Sequence, residues 1–295
     1  MLFERGFTLN SLKFGILGGD FRYKYFYDML INDGFNVKIF NNSFVDNNED
    51  TLDDMLKDTD VLITPIPFSK NDKTIFNPNF EEISFEVLIS KLKKSNIKII
   101  AGGVIPKNFI KMCNLNNINV FDFFEQESVA VFNAIPTAEG AIQTAMMESD
   151  KTIFGSNSLV LGYGRCGKIL ANTLKGIGSN VTATYRKEQD YSYINAFGLK
   201  PIHLSEIKTY INSFDFIFNT IPHCILDKEI LKKINRNTII IDLAQAPGGV
   251  DYNSARALNI NAIYCPSLPG RVAPYTASEI LKNALLNYCF EKNKA

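Results

Sequence analysis

Histidine is nearly missing from this chain. It occurs twice, as His203 and His223, so imidazole chemistry has only two places to reside. Cysteine is sparse and scattered, with five residues at 113, 166, 224, 265 and 289 and no C-x-x-C pair. That spacing excludes zinc ribbons and redox dithiols, and the odd count reads as reduced thiols in a cytosolic protein. No cluster has the ligand spacing of a zinc, calcium or iron–sulfur site, so no metal is expected. Arginine is scarce too, with seven residues among 31 basic ones, at 5, 22, 165, 186, 236, 256 and 271. An excess of one charge sign is absent, because 31 acidic residues balance the 31 basic ones. A nucleic-acid binder needs a positive excess, so that class is set aside. No apolar run reaches the length of a membrane span. The N-terminal stretch holds Glu4 and Arg5 and lacks the apolar run typical of a signal peptide. The expectation is a soluble, cytoplasmic protein with neither membrane nor nucleic acid as partner.

What is present supports large cores. The chain has 295 residues, 46% of them hydrophobic, which suits two domains. Apolar runs such as "LKFGILGG", "FNVKIF", "VLITPIPF" and "IKIIAGG" alternate with helical spacings such as "SFEVLISKLKKSN" and "PKNFIKMCNLNN". "SLVLGYG", "NVTATY", "SFDFIFNTIP", "NTIIIDLA" and "INAIYCPSLPG" repeat the scheme in the second half. Strand, helix, strand with short breaks predicts an α/β protein with two doubly wound parallel-sheet domains and a cleft between them. The expected boundaries are 1–132 for the N-terminal α/β domain, reserved for substrate or partner, and 133–295 for a Rossmann domain. A helix from about Thr137 to Met147 and a polar loop mark the joint. The last helix, 276–292, capped by Thr276 or Ser278, is expected to pack back on the N-terminal domain.

"SLVLGYGRCGKILANTLKGIGSNVTATYRKEQD", residues 158–190, carries the most chemistry. A strand leads into Gly162, Gly164 and Gly167, with Arg165 and Cys166 among them, and then into a helix and a second strand. In that context the glycines form a dinucleotide turn. The first allows the tight bend, the second lets backbone approach a pyrophosphate, and the third lets helix and sheet pack closely. The helix N-terminus offers N–H groups and partial positive charge to the phosphates. An NAD site places Asp or Glu at the end of the second strand to accept from the ribose hydroxyls. Here the chain reads Tyr185, Arg186, Lys187. Cations at that point suit a 2′-phosphate, so the expected cofactor is NADP(H). Cys166 is read as a small filler of the turn.

Further candidates lie past other strand ends, where such sheets bind ligands. Thr220 and Pro222, assigned to the cofactor, lead to His223, which could exchange a proton during hydride transfer. His203 is read as structural. Asp242 ends the next strand and is assigned to the cofactor. Ser267, Gly270 and Arg271 lie on an irregular loop before the last helix. In the first half Asp20 and Arg22 follow "GILGG", and Asn133, Thr137 and Glu139 lie at the joint. Arg22 and Arg271 offer rigid forks to a small anion. These residues alone give an NADP-linked oxidoreductase acting on a small anionic substrate.

Across nearly its whole length the chain resembles the dipicolinate synthase A-subunit family. The resemblance rests on "GILGGDFR", "NAIPTAEGAIQTAM", the glycine turn, "FIFNTIPH", "DLAQAPGGVDY" and "PSLPGRVAPYTASEIL". It departs at Arg271, where a Lys is associated with the pattern. The resemblance implies a fold like that of the 2-hydroxyacid dehydrogenases. It implies pyridine-nucleotide-linked oxidation of dihydrodipicolinate to dipicolinate, on a branch from lysine biosynthesis, in the mother-cell cytoplasm during sporulation. It also implies a hetero-oligomer with a different chain, the dipicolinate synthase B-subunit. Arg22, Arg271 and His223 are then the catalytic candidates, and Asp20, Asn133, Thr137, Glu139, Ser267 and Gly270 the substrate-binding ones. Two other functions stay open. One is a plain NADP-dependent 2-hydroxyacid-type dehydrogenase, against which no His follows residue 223. The other is a non-catalytic NADP-binding scaffold for the partner chain.

Overall fold

The computed structural model describes residues 12–77 and 81–292, so Glu4 and Arg5 lie outside the described residues. The chain divides into two compact units, Met1–Ala130 with Pro274–Ala295, and Val131–Ala273. The first unit alternates β1 (Lys13–Leu17), α1 (Phe21–Asn32), β2 (Asn36–Phe40), α2 (Leu52–Leu56), β3 (Val61–Ile63), α3 (Phe85–Leu92), β4 (Ile99–Gly102), α4 (Lys107–Asn114) and β5 (Asn119–Asp122). α5 (Glu127–Met147) leads into the second unit. There follow β6 (Asn157–Leu161), α6 (Arg165–Gly176), β7 (Asn180–Tyr185), α7 (Glu188–Ala196), β8 (Lys200–His203) and α8 (Ile207–Tyr210). β9 (Phe216–Asn219), α9 (Lys228–Leu231), β10 (Ile239–Asp242), α10 (Tyr252–Ala257), β11 (Asn261–Tyr264) and α11 (Leu268–Val272) complete it. α12 (Pro274–Lys292) belongs to the first unit again.

The described strands of both sheets pair in parallel. The first sheet has the order β2-β1-β3-β4-β5, and the second β11-β10-β9-β6-β7-β8. The second order is that of a Rossmann fold, with its reversal point between β6 and β9. Strand residues alternate between two cores. In β3, Val61 and Ile63 face one apolar cluster and Leu62 the other. In β10, Ile239 and Ile241 face one cluster and Ile240 the other. Helices cover both faces, which is why the strands read as continuous apolar runs. A slip of one residue would exchange the faces, so burial on both sides fixes the register.

Three local expectations are corrected. α5 begins at Glu127, ten residues before Thr137, and runs through Pro136. A proline inside a helix forfeits one backbone bond, but Ala134, Ala138, Ala141, Ile142 and Ala145 are buried along the same helix. That packing holds the helix together across the proline. The loop holding Gly270 and Arg271 is in fact the short helix α11. α12 starts at Pro274, so Thr276 and Ser278 lie inside it and do not cap it. The Ser278 hydroxyl donates instead to the Arg22 carbonyl of α1, at 2.6 Å. Lys282 pairs with Asp33 at the end of α1, and Leu281, Leu285 and Cys289 join the core around Phe14 and Phe26. No helix among the described residues is long and apolar enough to cross a membrane.

Candidate functional site

The glycine turn forms where β6 meets α6. Gly162 has φ +91°, a conformation that costs a residue without a Cβ little. A Cβ on Gly167 would stand 2.1 Å from the Gly162 carbonyl oxygen, so helix and turn touch there. Gly164 differs from both. It is the N-cap of α6 with φ −78°, which any residue can adopt, and no side chain caps the turn. A Cβ on Gly164 would meet nothing within 4 Å. Nothing in the chain's own packing demands glycine at that position. An open cradle beside an uncapped helix N-terminus is what a pyrophosphate requires, so the residues fit a bound dinucleotide.

The turn is braced from both sides. The Gly162 N–H donates to the Thr184 hydroxyl at 2.9 Å, and the Thr220 hydroxyl donates to the Leu161 carbonyl at 2.8 Å. Thr220 therefore shapes the turn, while Pro222 and His223 lie exposed just beyond it. Arg165 is exposed and Cys166 half-buried at the start of α6. Burial pushes the Cys166 thiol up to about 11, which keeps it protonated and unreactive at neutral pH. Tyr185 ends β7 with its ring edge-on to Tyr191 and His203. His203 also meets the Ser205 hydroxyl at 2.7 Å, a structural placement. Arg186 and Lys187 are exposed between β7 and α7, with no acidic residue at the strand end.

Asp242, expected at the cofactor, faces inward. It is 0% exposed. Its Oδ1 accepts from Asn219 Nδ2 at 2.8 Å and the Ala244 N–H at 3.1 Å. Its Oδ2 accepts from the Gly249 N–H and the Tyr252 hydroxyl, both at 2.8 Å. Four donors occupy the carboxylate, leaving no lone pair directed at a ligand. Burial, then the bond to Asp242, raises the Tyr252 phenol well above its usual range.

Arg22 is likewise engaged. Its Nε and Nη2 grip Asp20, at 2.9 and 2.7 Å, and Nη2 also reaches the Ile66 carbonyl at 3.3 Å. Burial opposes its charge, and the Asp20 carboxylate more than offsets this, so its pKa is raised. Asp20 caps α1 through the Arg22 N–H. The pair is a structural clamp, not a free fork for substrate. On α5 the Thr137 hydroxyl donates to the Asn133 carbonyl, and Asn133 Oδ1 is buried without a partner. Glu139 does not join them. Two residues on a helix turn about 200°, and Glu139 instead borders an apolar groove of about 380 Å³ with Ile142, Met146 and Thr173. Ser267, with φ +56°, precedes α11, whose Gly270 is half-buried and whose Arg271 is exposed. The structure thus gathers the glycine turn, Tyr185–Lys187 and Thr220–His223 at the carboxyl ends of the second sheet. Thr184, Asn219, Gly249 and Tyr252 were missed in the sequence. Asn219 alone carried a signal there, as a polar residue closing an apolar strand.

Both units resemble domains of known proteins. Residues 13–124 match the N-terminal domain of the dipicolinate synthase A-subunit. Residues 129–263 match the NAD binding domain of D-isomer specific 2-hydroxyacid dehydrogenases, so the second unit is a nicotinamide-dinucleotide-binding domain. The dipicolinate synthase A-subunit of Bacillus subtilis (strain 168) is 42% identical over 162 residues, which span 55% of this chain and 54% of that relative's length. The crystal structure of dipicolinate synthase, A chain, from Bacillus subtilis superposes with TM-score 0.85 at 30% identity, covering 96% of this chain and 97% of that one. That of the dipicolinate synthase A-subunit from Bacillus halodurans gives TM-score 0.84 at 27% identity, covering 95% and 98%.

Proposed function

The chain belongs to the dipicolinate synthase A-subunit family, and from that premise we propose that it oxidises dihydrodipicolinate to dipicolinate with NADP(H). It works with a second, different chain, the dipicolinate synthase B-subunit, in the mother-cell cytoplasm during sporulation. The observation that carries the cofactor is Gly164, a glycine with no steric need of its own beside an uncapped helix N-terminus. The preference for the phosphorylated form rests on Arg186 and Lys187, exposed where an acidic residue would hold a bare ribose. Aromatising the ring removes one hydride and one proton. An oxidised nicotinamide nucleotide held by the glycine turn Gly162–Gly167 would supply the acceptor for that hydride. His223, exposed beyond β9, or a water takes the proton. With Arg22 committed to Asp20, Arg271 is the fork that remains for a substrate carboxylate.

The same commitment of Arg22 favours a second reading, a nucleotide-binding scaffold whose partner does the chemistry. The two part on one assay. Full activity of the reconstituted pair with Arg271→Ala and His223→Ala would favour the scaffold. The cofactor itself is tested by titrating the chain with NADPH and NADH. Wild type is expected to prefer NADPH by about tenfold or more, the worth of one charge-assisted contact, and Arg186→Ala to lose that preference. Equal binding of both nucleotides by the wild type would sink the NADP assignment.

A further inference from the structure

The buried carboxylate of Asp242 has no part in the chemistry above. Burying a charge is costly, and a loop can be held by neutral groups. Its partners show where it acts. Ala244 and Gly249, whose N–H groups it accepts, lie at either end of the loop 244–249 after β10, and Tyr252 opens α10 just beyond. Gly249 is pressed against the same network, since a Cβ there would stand 2.1 Å from Asn219 Nδ2. Asn219 also bonds Ile221 twice, accepting from its N–H at 3.2 Å and donating to its carbonyl at 3.1 Å. Asp242 therefore fixes the loops after both β9 and β10. The glycine turn is braced by Thr184 and by Thr220, which lies in the loop after β9 but is pinned to β6 directly, its N–H and hydroxyl donating to the Leu161 carbonyl at 3.0 and 2.8 Å.

That division matches the two halves of a Rossmann sheet. The adenosine part of a dinucleotide lies over the first half, here β6 and β7, and the nicotinamide part over the second, here β9 to β11. We propose that Asp242 is a positioning residue for the nicotinamide half of the bound dinucleotide, acting through the loops after β9 and β10 with Asn219 and Tyr252. The inference rests on the dinucleotide reading above.

The test compares two ligands on the full chain by titration calorimetry. NADPH carries both halves, and adenosine 2′,5′-bisphosphate carries only the adenosine side. Tyr252→Phe deletes one hydroxyl from a half-buried ring, and Asp242→Asn turns an amide N–H₂ toward two donors. Each is expected to weaken NADPH about tenfold, because a loop released from part of its bracing must be re-ordered when the ligand binds, and to leave the bisphosphate unchanged. A merely structural role would lower the melting temperature and weaken both ligands together. That parallel loss, or NADPH affinity at the wild-type level in Tyr252→Phe, overturns the proposal. Should Asp242→Asn fail to fold, Tyr252→Phe decides alone. A wild type that binds neither ligand overturns the dinucleotide reading itself, before any substitution is made.

Discussion

The three glycines of the turn separate folding from binding residue by residue. Gly167→Ala forces a Cβ to 2.1 Å from a backbone oxygen, which cannot yield as a flexible side chain can. It is expected to cost about 3 kcal/mol, the upper range for overpacking, read as a shift in the urea midpoint. Gly164→Ala meets nothing, so it is expected to cost about 1 kcal/mol at most, the effect of a poorer N-cap. It should nevertheless abolish NADPH binding, because the new methyl fills the pyrophosphate cradle. An undiminished NADPH affinity in Gly164→Ala would remove the argument for that cradle. The glycine pattern was legible because each position needs one local thing, namely a bend, a clearance or a contact. Asp242 and Arg22 were not. Sequence places both after strands, but whether a side chain faces solvent or its own fold depends on distant partners. Asp242 is held by Gly249 and Tyr252, seven and ten residues on, and Arg22 by Asp20 and a carbonyl on another loop.

At the scale of elements, apolar runs were sufficient to find the strands, because sheets covered on both faces need nothing else. Helix limits were less legible. Pro136 hid the first ten residues of α5, and the Pro and Gly of "SLPGRV" hid α11, since local propensity opposed what packing supplied. α4 shows how little of a helix packing has to use. Its Phe109 is 0% exposed and packs against Phe68, tilted, and Phe85, edge-on, with ring centroids at 4.6 and 5.0 Å. Leu115, just past its end, is 83% exposed. Phe109→Ala is expected to lose about 3–5 kcal/mol, and Leu115→Ala less than about 0.5, in chemical denaturation. Similar losses from the two would mean that α4 does not anchor its face of the sheet.

At the scale of the molecule, strand order follows from pairing across tens of residues, and neither sheet order is spelled out in the chain. Crossover logic alone leads from alternation to parallel sheets. The final helix is the part whose importance is least visible in sequence, because its partners are far away along the chain, up to 256 residues for Ser278 and Arg22. Ser278 reaches the Arg22 carbonyl, Lys282 reaches Asp33, and the Tyr288 ring lies 4.5 Å from that of Phe121. Leu281, Leu285 and Cys289 are each at most 1% exposed. Burying a Leu side chain is worth about 1.5–3 kcal/mol, so the two leucines with the smaller Cys289 approach the low end of the stability of an ordinary domain, about 5–15 kcal/mol. The second unit ends at Ala273, before this helix begins. A chain stopped at Ala273 is therefore expected to lose the thermal transition of the first unit and keep that of the second, together with its NADPH binding. Calorimetry and nucleotide titration on that truncation read the two units separately. Survival of both transitions would show that the first unit does not depend on α12.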